Sequence, residues 1–204
     1  MFAQGNETGG SSESGLQLID SDVRDVVYSA NEGGQRGLLF DGNETIARNI
    51  RVFDNEHPRA VAITRGATVQ DIEVFENDGW GIDMGTGGGT EQVLRNATVA
   101  FNDGPGIQIG AQSNLQVVDS IIAFNNGVGI ARNPTSTAQP EYCLVFGNSS
   151  ASNFVFSGSG MQSSNPLFTN SNAAQVQDYD LSVMTGSPAI GSGENGGTMG
   201  AVFP

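Results

Sequence analysis

The chain has 204 residues, of which 22 are acidic and 8 are basic, so its formal net charge at pH 7 is -14. That balance argues against binding to nucleic acid or to anionic membranes, because both depend on a basic surface. All the basic residues are arginine, and acidity without lysine fits either a halophilic protein, whose self-repulsion salt screens, or an ordinary acidic secreted protein.

Residues 1–15 are rich in glycine, serine and glutamate, which predicts a flexible leader. No apolar run approaches the length of a membrane span, and the first residues lack the basic and apolar regions of a signal peptide. We therefore expect no membrane insertion. We also expect the chain to be a mature form or an excised domain.

From residue 16 onward the sequence is dominated by a repeat. A phenylalanine returns every 22 to 26 residues, and each is followed two positions later by an asparagine or an aspartate. The phenylalanines are Phe53, Phe75, Phe101, Phe124 and Phe146, and their followers are Asn55, Asn77, Asp103, Asn126 and Asn148. A period of this length is typical of stacked short units, none of which buries its apolar face alone.

Each unit reads as two or three strands of alternating apolar and polar residues, separated by asparagine or glycine turns. Three units also carry a Gly-x-Gly sequence before the second apolar pair, at 79–81, 104–106 and 127–129. Rungs stacked about 4.8 Å apart place equivalent residues over one another, so the turn asparagines are expected to form a hydrogen-bonded ladder.

Counting back from each phenylalanine predicts which side chains point inward. The inward set is Ile50, Ile72, Thr98, Ile121 and Cys143, followed by Val52, Val74, Ala100, Ala123 and Val145. The outward column is then Arg51, Glu73, Val99, Ile122 and Leu144. We expect Arg51 and Glu73 to pair across rungs. The last three residues form an apolar stripe that must be covered, either by the C-terminal segment or by another chain.

The candidate site lies in the turns that follow the phenylalanines. His57 and Arg59 lie in one rung, Asp78 and Trp80 in the next, and Asp83 and Arg65 flank them. An arginine pairs bidentately with a carboxylate, a tryptophan offers a flat apolar face for stacking, and a histidine serves as a general base. We predict His57 and Arg59 as catalytic residues. Trp80, Asp78, Asp83 and Arg65 are predicted to bind substrate.

A structural explanation of the same residues stays open. A single histidine before a proline is commonly solvated or caps a turn, and Trp80 between two glycines can cover the end of a core. Converging groups, rather than one residue type, define a site.

Asparagine-rich turns followed by Gly-x-Gly-Ile resemble the right-handed parallel β-helix repeat of pectate lyases, alginate epimerases, inulin lyases and many surface proteins. Segments 165–168, 178–181, 186–193 and 200–201 resemble the closing segment of secreted members. The resemblance implies an all-β, single-stranded right-handed parallel β-helix of about six to seven rungs over 16–204. Its capping segment would begin at about residue 147, and the protein would be extracellular or at the cell surface.

The resemblance also implies a protein that interacts with polysaccharide, as a lyase or epimerase acting on acidic glycans. Several family features are missing: there is no lysine, no Asp-Pro-His-Glu motif and no evident pair of aspartates of the polygalacturonase type. Because this fold also hosts inert scaffolds, the alternative is a non-catalytic, adhesive surface protein that self-associates through its rung ends or its apolar stripe.

Calcium is the cofactor that the resemblance suggests, since pectate-lyase-like members use it to bridge carboxylates. Glu76, Asp78, Asp83 and Asp103 offer hard oxygen ligands, but their spacing is not that of a calcium loop such as the EF-hand. The sequence therefore leaves the cofactor open.

Overall fold

The computed structural model describes residues 2–4, 7–8, 14–85, 91–111 and 115–203. These residues form a coil of about 6 turns, built from parallel strands and only 3% helical. The predicted all-β parallel solenoid is therefore confirmed. In the described part of the chain, no helix is long and apolar enough to cross a membrane.

Two parallel sheets run along the coil. The first sheet contains β1 (Phe2–Gln4), β4 (Asp22–Ser29), β7 (Ile46–Phe53), β9 (Thr68–Phe75), β11 (Gln92–Ala100), β14 (Ile121–Ala123) and β16 (Leu144–Phe146), with β13 (Leu115–Val118) beside β11. The second contains β3 (Ser14–Ile19), β6 (Arg36–Asp41), β8 (Arg59–Thr64), β10 (Trp80–Met84), β12 (Ile107–Ile109), β15 (Val128–Arg132) and β17 (Ser150–Ser152).

Four short strands and two 3-10 turns complete the description. Strand β2 (Glu7–Thr8) pairs with β5 (Glu32–Gly33), and β18 (Phe168–Asn170) pairs antiparallel with β19 (Asp180–Val183). The 3-10 turns are Val176–Asp178 and Glu194–Gly196. The described parts of the predicted leader are strand, and the predicted domain boundaries remain a prediction.

Each rung bends at two backbone positions that have positive φ. One set is Asp25, Asn49, Asp71, Asn96, Asp119 and Tyr142, and the other is Ala30, Asp54, Glu76, Phe101, Phe124 and Gly147. Left-handed geometry is uncommon outside glycine, with asparagine and aspartate the usual exceptions. Recurrence at equivalent positions shows that these bends are a fixed part of the rung.

In every rung, the residue that follows the bend of the second set is an asparagine, and its side chain turns into the coil. These residues are Asn31, Asn55, Asn77, Asn102, Asn125 and Asn148, spaced 22 to 25 residues apart. Each side-chain amide donates to the side-chain oxygen of the next, at 2.8–3.0 Å. The same oxygen also accepts the preceding asparagine's backbone N–H. The predicted ladder exists.

Two members of the predicted ladder are wrong. In the third and fourth repeats the ladder residues are Asn102 and Asn125, whereas Asp103 and Asn126 are exposed. Phe75 is in register with Ala100, one position before Phe101. In these repeats the phenylalanine occupies the left-handed bend itself, so an alignment on phenylalanine slips by one residue.

That slip reverses the predicted faces in the same two rungs, because side chains alternate with a period of 2. Val99 and Ile122 were expected outside but lie in the main core, while Thr98 and Ile121 take the outward column. Leu144 does point outward, but it is fully buried in a second apolar cluster. The predicted stripe of Val99, Ile122 and Leu144 is therefore not a surface.

The second apolar cluster lies between the first sheet and residues 168–201, which we call the C-terminal cover. Its tail members are Phe168, Leu181, Ala189 and Met199, all buried. Polar contacts fasten the cover: Arg51 Nη2 donates to the Tyr179 carbonyl at 2.9 Å, and Arg95 Nη1 lies 2.8 Å from Glu194. Arg51 also pairs with Glu73 at 2.9 Å, as predicted, beneath the cover.

Near its N-terminal end, the core inside the coil contains a polar pair among its apolar side chains. There Tyr28 and His57 are both buried, and a hydrogen bond of 3.2 Å joins the tyrosine hydroxyl to His57 Nε2. Burial lowers the pKa of His57, although the Gly33 backbone acts weakly in the opposite direction. Cys143 is buried as predicted, and burial raises its thiol pKa to about 12.

The ladder predicts an unequal effect of two asparagine substitutions. Asn77→Ala leaves the backbone N–H and side-chain amide of Asn55 without their acceptor. We expect it to lower the free energy of unfolding by about 3 kcal/mol, since each unsatisfied buried group costs about 1 to 3 kcal/mol. Urea denaturation measures this.

The matched control is Asn126→Ala, which removes an exposed asparagine from the neighbouring position of a later rung. Its effect is expected to stay within about 0.5 kcal/mol, as for most surface substitutions. Equal losses in the two variants would contradict the observed register.

The buried histidine predicts a loss of stability in mild acid. The pKa of His57 in the folded protein lies below its ordinary value of 6.5, so the unfolded chain binds a proton that the folded chain does not. The contribution of neutral His57 to the free energy of unfolding is therefore complete above about pH 6.5, and it falls as the pH drops below that value. Between about pH 7 and about pH 5, the urea midpoint should fall less in His57→Gln than in the parent protein. Parallel pH profiles would contradict this.

Candidate functional site on the second sheet

Three predicted site residues come together on the outer face of the second sheet. Arg59 and Trp80 begin β8 and β10 and are in direct register. Asp83 also points outward, because its neighbours Ile82 and Met84 both belong to the main core. We call Arg59, Trp80 and Asp83, with Arg36 described below, the second-sheet site.

The arginine joins the other two side chains. Arg59 Nε lies 2.8 Å from Asp83 Oδ2, and its guanidinium carbon lies 5.0 Å from the centre of the Trp80 ring. The Arg59 side chain is 28% exposed, whereas that of Asp83 is only 8% exposed. Solvent therefore reaches the guanidinium and the indole more readily than it reaches the carboxylate.

A fourth residue belongs to this face. Arg36 begins β6, one rung before Arg59, because Leu38 and Val61 two positions later are in register. Burial raises the pKa of Asp83, while the charges of Arg59 and Arg36 both oppose that rise. A buried carboxyl with a perturbed pKa beside cationic partners is a common feature of functional sites.

Glycines allow the turns before and after Trp80 to pack closely against one another. A Cβ on Gly79 would lie 2.1 Å from the His57 carbonyl oxygen, and a Cβ on Gly104 would lie 2.7 Å from Trp80 Cδ1. Both positions therefore require glycine. The repeated Gly-x-Gly sequence is explained by this close stacking of successive turns.

The structure separates His57 from the second-sheet site. Its imidazole is only 1% exposed and lies inside the coil against Tyr28. A general base must come within hydrogen-bond reach of the proton that it removes. In this conformation His57 does not reach solvent, and its geometry is that of a core residue.

Arg65 is also placed elsewhere. It follows the far end of β8 and pairs with Asp41, with its Nε 2.6 Å from Asp41 Oδ1. The Arg65 guanidinium lowers the pKa of Asp41 to about 2. Arg65 therefore stabilises the turn between β8 and β9.

Asp78 lies in a turn column that is mainly acidic. It follows Asn77, and its backbone N–H donates to the Asn55 carbonyl, so it stacks beside Glu56 of the preceding rung. With Asp54, these residues line a shallow depression. Asp78 is exposed and lines that depression with other acidic residues, whereas Trp80 is not among the lining residues.

The carboxylates suggested for calcium do not converge. Asp83 pairs with Arg59, Glu76 accepts from the Tyr179 hydroxyl at 3.1 Å, and Asp103 accepts from Asn126 at 2.7 Å. Among the described residues, no group of three or more histidine, cysteine, aspartate or glutamate side chains is placed to hold a metal ion. These four residues therefore do not fit a shared calcium site.

Sequence reasoning missed Arg36 because it aligned the repeats on phenylalanine. The signal was present in the second strand, where 36–40 (Arg-Gly-Leu-Leu-Phe) parallels 59–63 (Arg-Ala-Val-Ala-Ile). The predicted set of six thus divides into three residues on one face and three placed elsewhere, His57, Arg65 and Asp78.

Comparison with known proteins agrees with the coil. No curated protein sequence matches the chain. The A-module of mannuronan C-5 epimerase AlgE6 from Azotobacter vinelandii is similar in structure, with a TM-score of 0.55 and 13% sequence identity. The match covers 81% of this chain and 57% of that one, so this chain spans little more than half of that module. The family model for the right handed beta helix region matches residues 2–173. The chain therefore belongs to the right-handed β-helix family.

Proposed function

We propose that the protein binds an acidic polysaccharide on the outer face of the second sheet. The observation that carries the proposal is the contact of Arg59 with both Trp80 and Asp83 on adjacent rungs. A partly exposed guanidinium beside an indole offers a sugar both a carboxylate partner and a flat apolar surface. A buried carboxylate fixes the orientation of that guanidinium.

The negative charge of the whole chain makes the arginines of this face important for binding an anionic ligand. A net charge of -14 repels polyanions in general, so an anionic ligand needs a local cationic site. The structural neighbour is an epimerase of mannuronan, a polymer whose sugars carry carboxylates. That neighbour supports an anionic glycan as the first ligand to test.

For a lyase or an epimerase, the same face supplies a proton acceptor in Asp83. The acceptor must be ionised and must lie at the sugar, and Asp83 is the carboxylate that Arg59 holds there. Because His57 is buried in the coil, Asp83 rather than His57 is the proton acceptor in this proposal. An Asp83→Asn variant would then lose turnover, whereas His57→Ala would retain it in the protein that stays folded.

The alternative, a self-associating scaffold, would use either the rung ends or the apolar stripe, and the stripe is not available as a surface. The residues of its apolar stripe are buried, two of them inside the coil and the third beneath the C-terminal cover. At the C-terminal end of the coil, Phe154, Phe156 and Met161 pack against the main core. Glycan binding is therefore the function that the geometry favours.

The binding test uses Trp80, the only tryptophan of the chain, as a fluorescent reporter. Addition of a uronate oligosaccharide should change its emission in a saturable way. Arg59→Lys should weaken that binding about tenfold, equivalent to about 1.4 kcal/mol, because lysine keeps the charge but lacks the planar fork. Trp80→Ala, followed by calorimetry, should weaken binding by a similar factor.

The matched control is Arg48→Lys. The Arg48 side chain is 29% exposed, lies on the first sheet and faces Asp22 at 3.6 Å. Binding unchanged by Arg48→Lys but lost in Arg59→Lys would locate the ligand on the second sheet. Saturable binding that survives both Arg59→Lys and Trp80→Ala would overturn the proposed site.

A further inference from the structure

Arg36 differs from every other arginine in its surroundings. Six of the 8 arginines pair with carboxylates: Arg24, Arg48, Arg51, Arg59, Arg65 and Arg95. Arg132 donates to the Ala138 carbonyl and lies 4.0 Å from the centre of the Phe154 ring. Arg36 remains. Within the described ranges no carboxylate lies at ion-pair distance from it, and its buried Nε has no hydrogen-bond acceptor. Arg59 Nε also lacks an aligned hydrogen-bond acceptor, but it lies 2.8 Å from Asp83 Oδ2 and so has an ionic partner that Arg36 lacks.

An unsatisfied buried donor is costly. A polar group removed from water without a hydrogen bond destabilises the protein, and a charged group does so more. Native proteins seldom tolerate such groups without a reason, and a ligand that supplies the missing acceptor is one such reason. The Arg36 guanidinium is therefore a candidate for a group that is satisfied only in the complex.

The charge balance of the second-sheet site leads to the same conclusion. Arg36 and Arg59 bring two positive charges, and Asp83 brings one negative charge. Asp83 is already held by Arg59 at 2.8 Å, so one positive charge is left over in a chain of net charge -14. A ligand that carries one negative charge per sugar would complete the balance.

The rung geometry sets how that charge is bound. Arg36 and Arg59 begin adjacent strands of a parallel sheet, so their backbones are about 4.8 Å apart. Two guanidiniums at that spacing can contact the two oxygens of a single carboxylate, and their planar forks suit that geometry. Trp80, one rung further, lies where the attached ring would stack.

We propose that Arg36 is the residue that makes this site select carboxylate-bearing sugars over neutral ones, with Arg59 and Trp80 providing the remaining contacts. The proposal rests on the proposed function and deepens it. Arg59 and Trp80 give affinity for the sugar ring. Arg36 adds the dependence on the carboxylate, because its own acceptor is otherwise missing.

The experiment compares one short uronate oligosaccharide with the same oligosaccharide after its carboxyls have been reduced to alcohols. Trp80 fluorescence reports the affinity for each. The parent protein should prefer the uronate by at least about tenfold, or about 1.4 kcal/mol. Arg36→Gln should abolish that preference by weakening uronate binding about tenfold, with the affinity for the neutral form unchanged.

Three further variants keep the result interpretable. Arg36→Lys retains the charge and should recover part of the preference, whereas Arg48→Gln on the first sheet should retain all of it. Arg36→Met tests the same loss with an apolar side chain in case glutamine is not accommodated. Thermal unfolding of each variant shows whether the coil is intact.

The outcomes separate the two proposals. If the parent binds uronate and Arg36→Gln keeps the full preference, or loses affinity for both oligosaccharides equally, Arg36 does not set selectivity and the inference fails alone. If the parent binds neither oligosaccharide, the proposed function fails and the inference fails with it. A lost preference with unchanged neutral binding supports both.

Discussion

The rest of the structure depends on in-register stacking of successive rungs, and the asparagine ladder is its most specific expression. Each ladder side chain accepts from the rung before it and donates to the rung after it, at 2.8–3.0 Å. A slip of one residue would break every bond of the ladder and reverse the two faces of the strand. The ladder thus fixes which side chains fill the core and which reach the surface. Each unpaired buried amide costs free energy, which favours the register in which the ladder is fully bonded.

The two sheets are then put to different uses. The outward-facing column of the first sheet becomes apolar toward the C-terminal end of the coil. The C-terminal cover buries this part of the column under Phe168, Leu181 and Met199. This cover also encloses the Arg51–Glu73 pair, in which burial raises the pKa of Glu73 against the opposing charge of Arg51. Among the described residues, the second sheet instead presents two arginines, a tryptophan and a buried carboxylate on its outer face. That asymmetry is why we propose the second sheet as the ligand-binding face.

The second-sheet site is produced by register rather than by any local motif. Arg36, Arg59 and Trp80 are far apart in sequence, yet each begins the second-sheet strand of its own rung. Stacking alone brings them into one column. His57, only two residues from Arg59, points into the coil instead, because its chain is still turning there. Proximity in sequence was therefore a poor guide to proximity in space, and equivalence of position within the repeat was a good one.

The sequence by itself determined the solenoid, because a period of 22 to 26 residues with alternating apolar positions has few other solutions. It also predicted a ladder of asparagines, with two members misassigned, and a group of six site residues of which Arg59, Trp80 and Asp83 lie together. Only the tertiary structure decided the register of the third and fourth repeats, where Phe101 and Phe124 occupy left-handed bends. Phenylalanine rarely adopts that conformation alone. Here their rings stack 5.3 Å apart and pack against Phe168 of the C-terminal cover, a contact from distant sequence that no local pattern reveals.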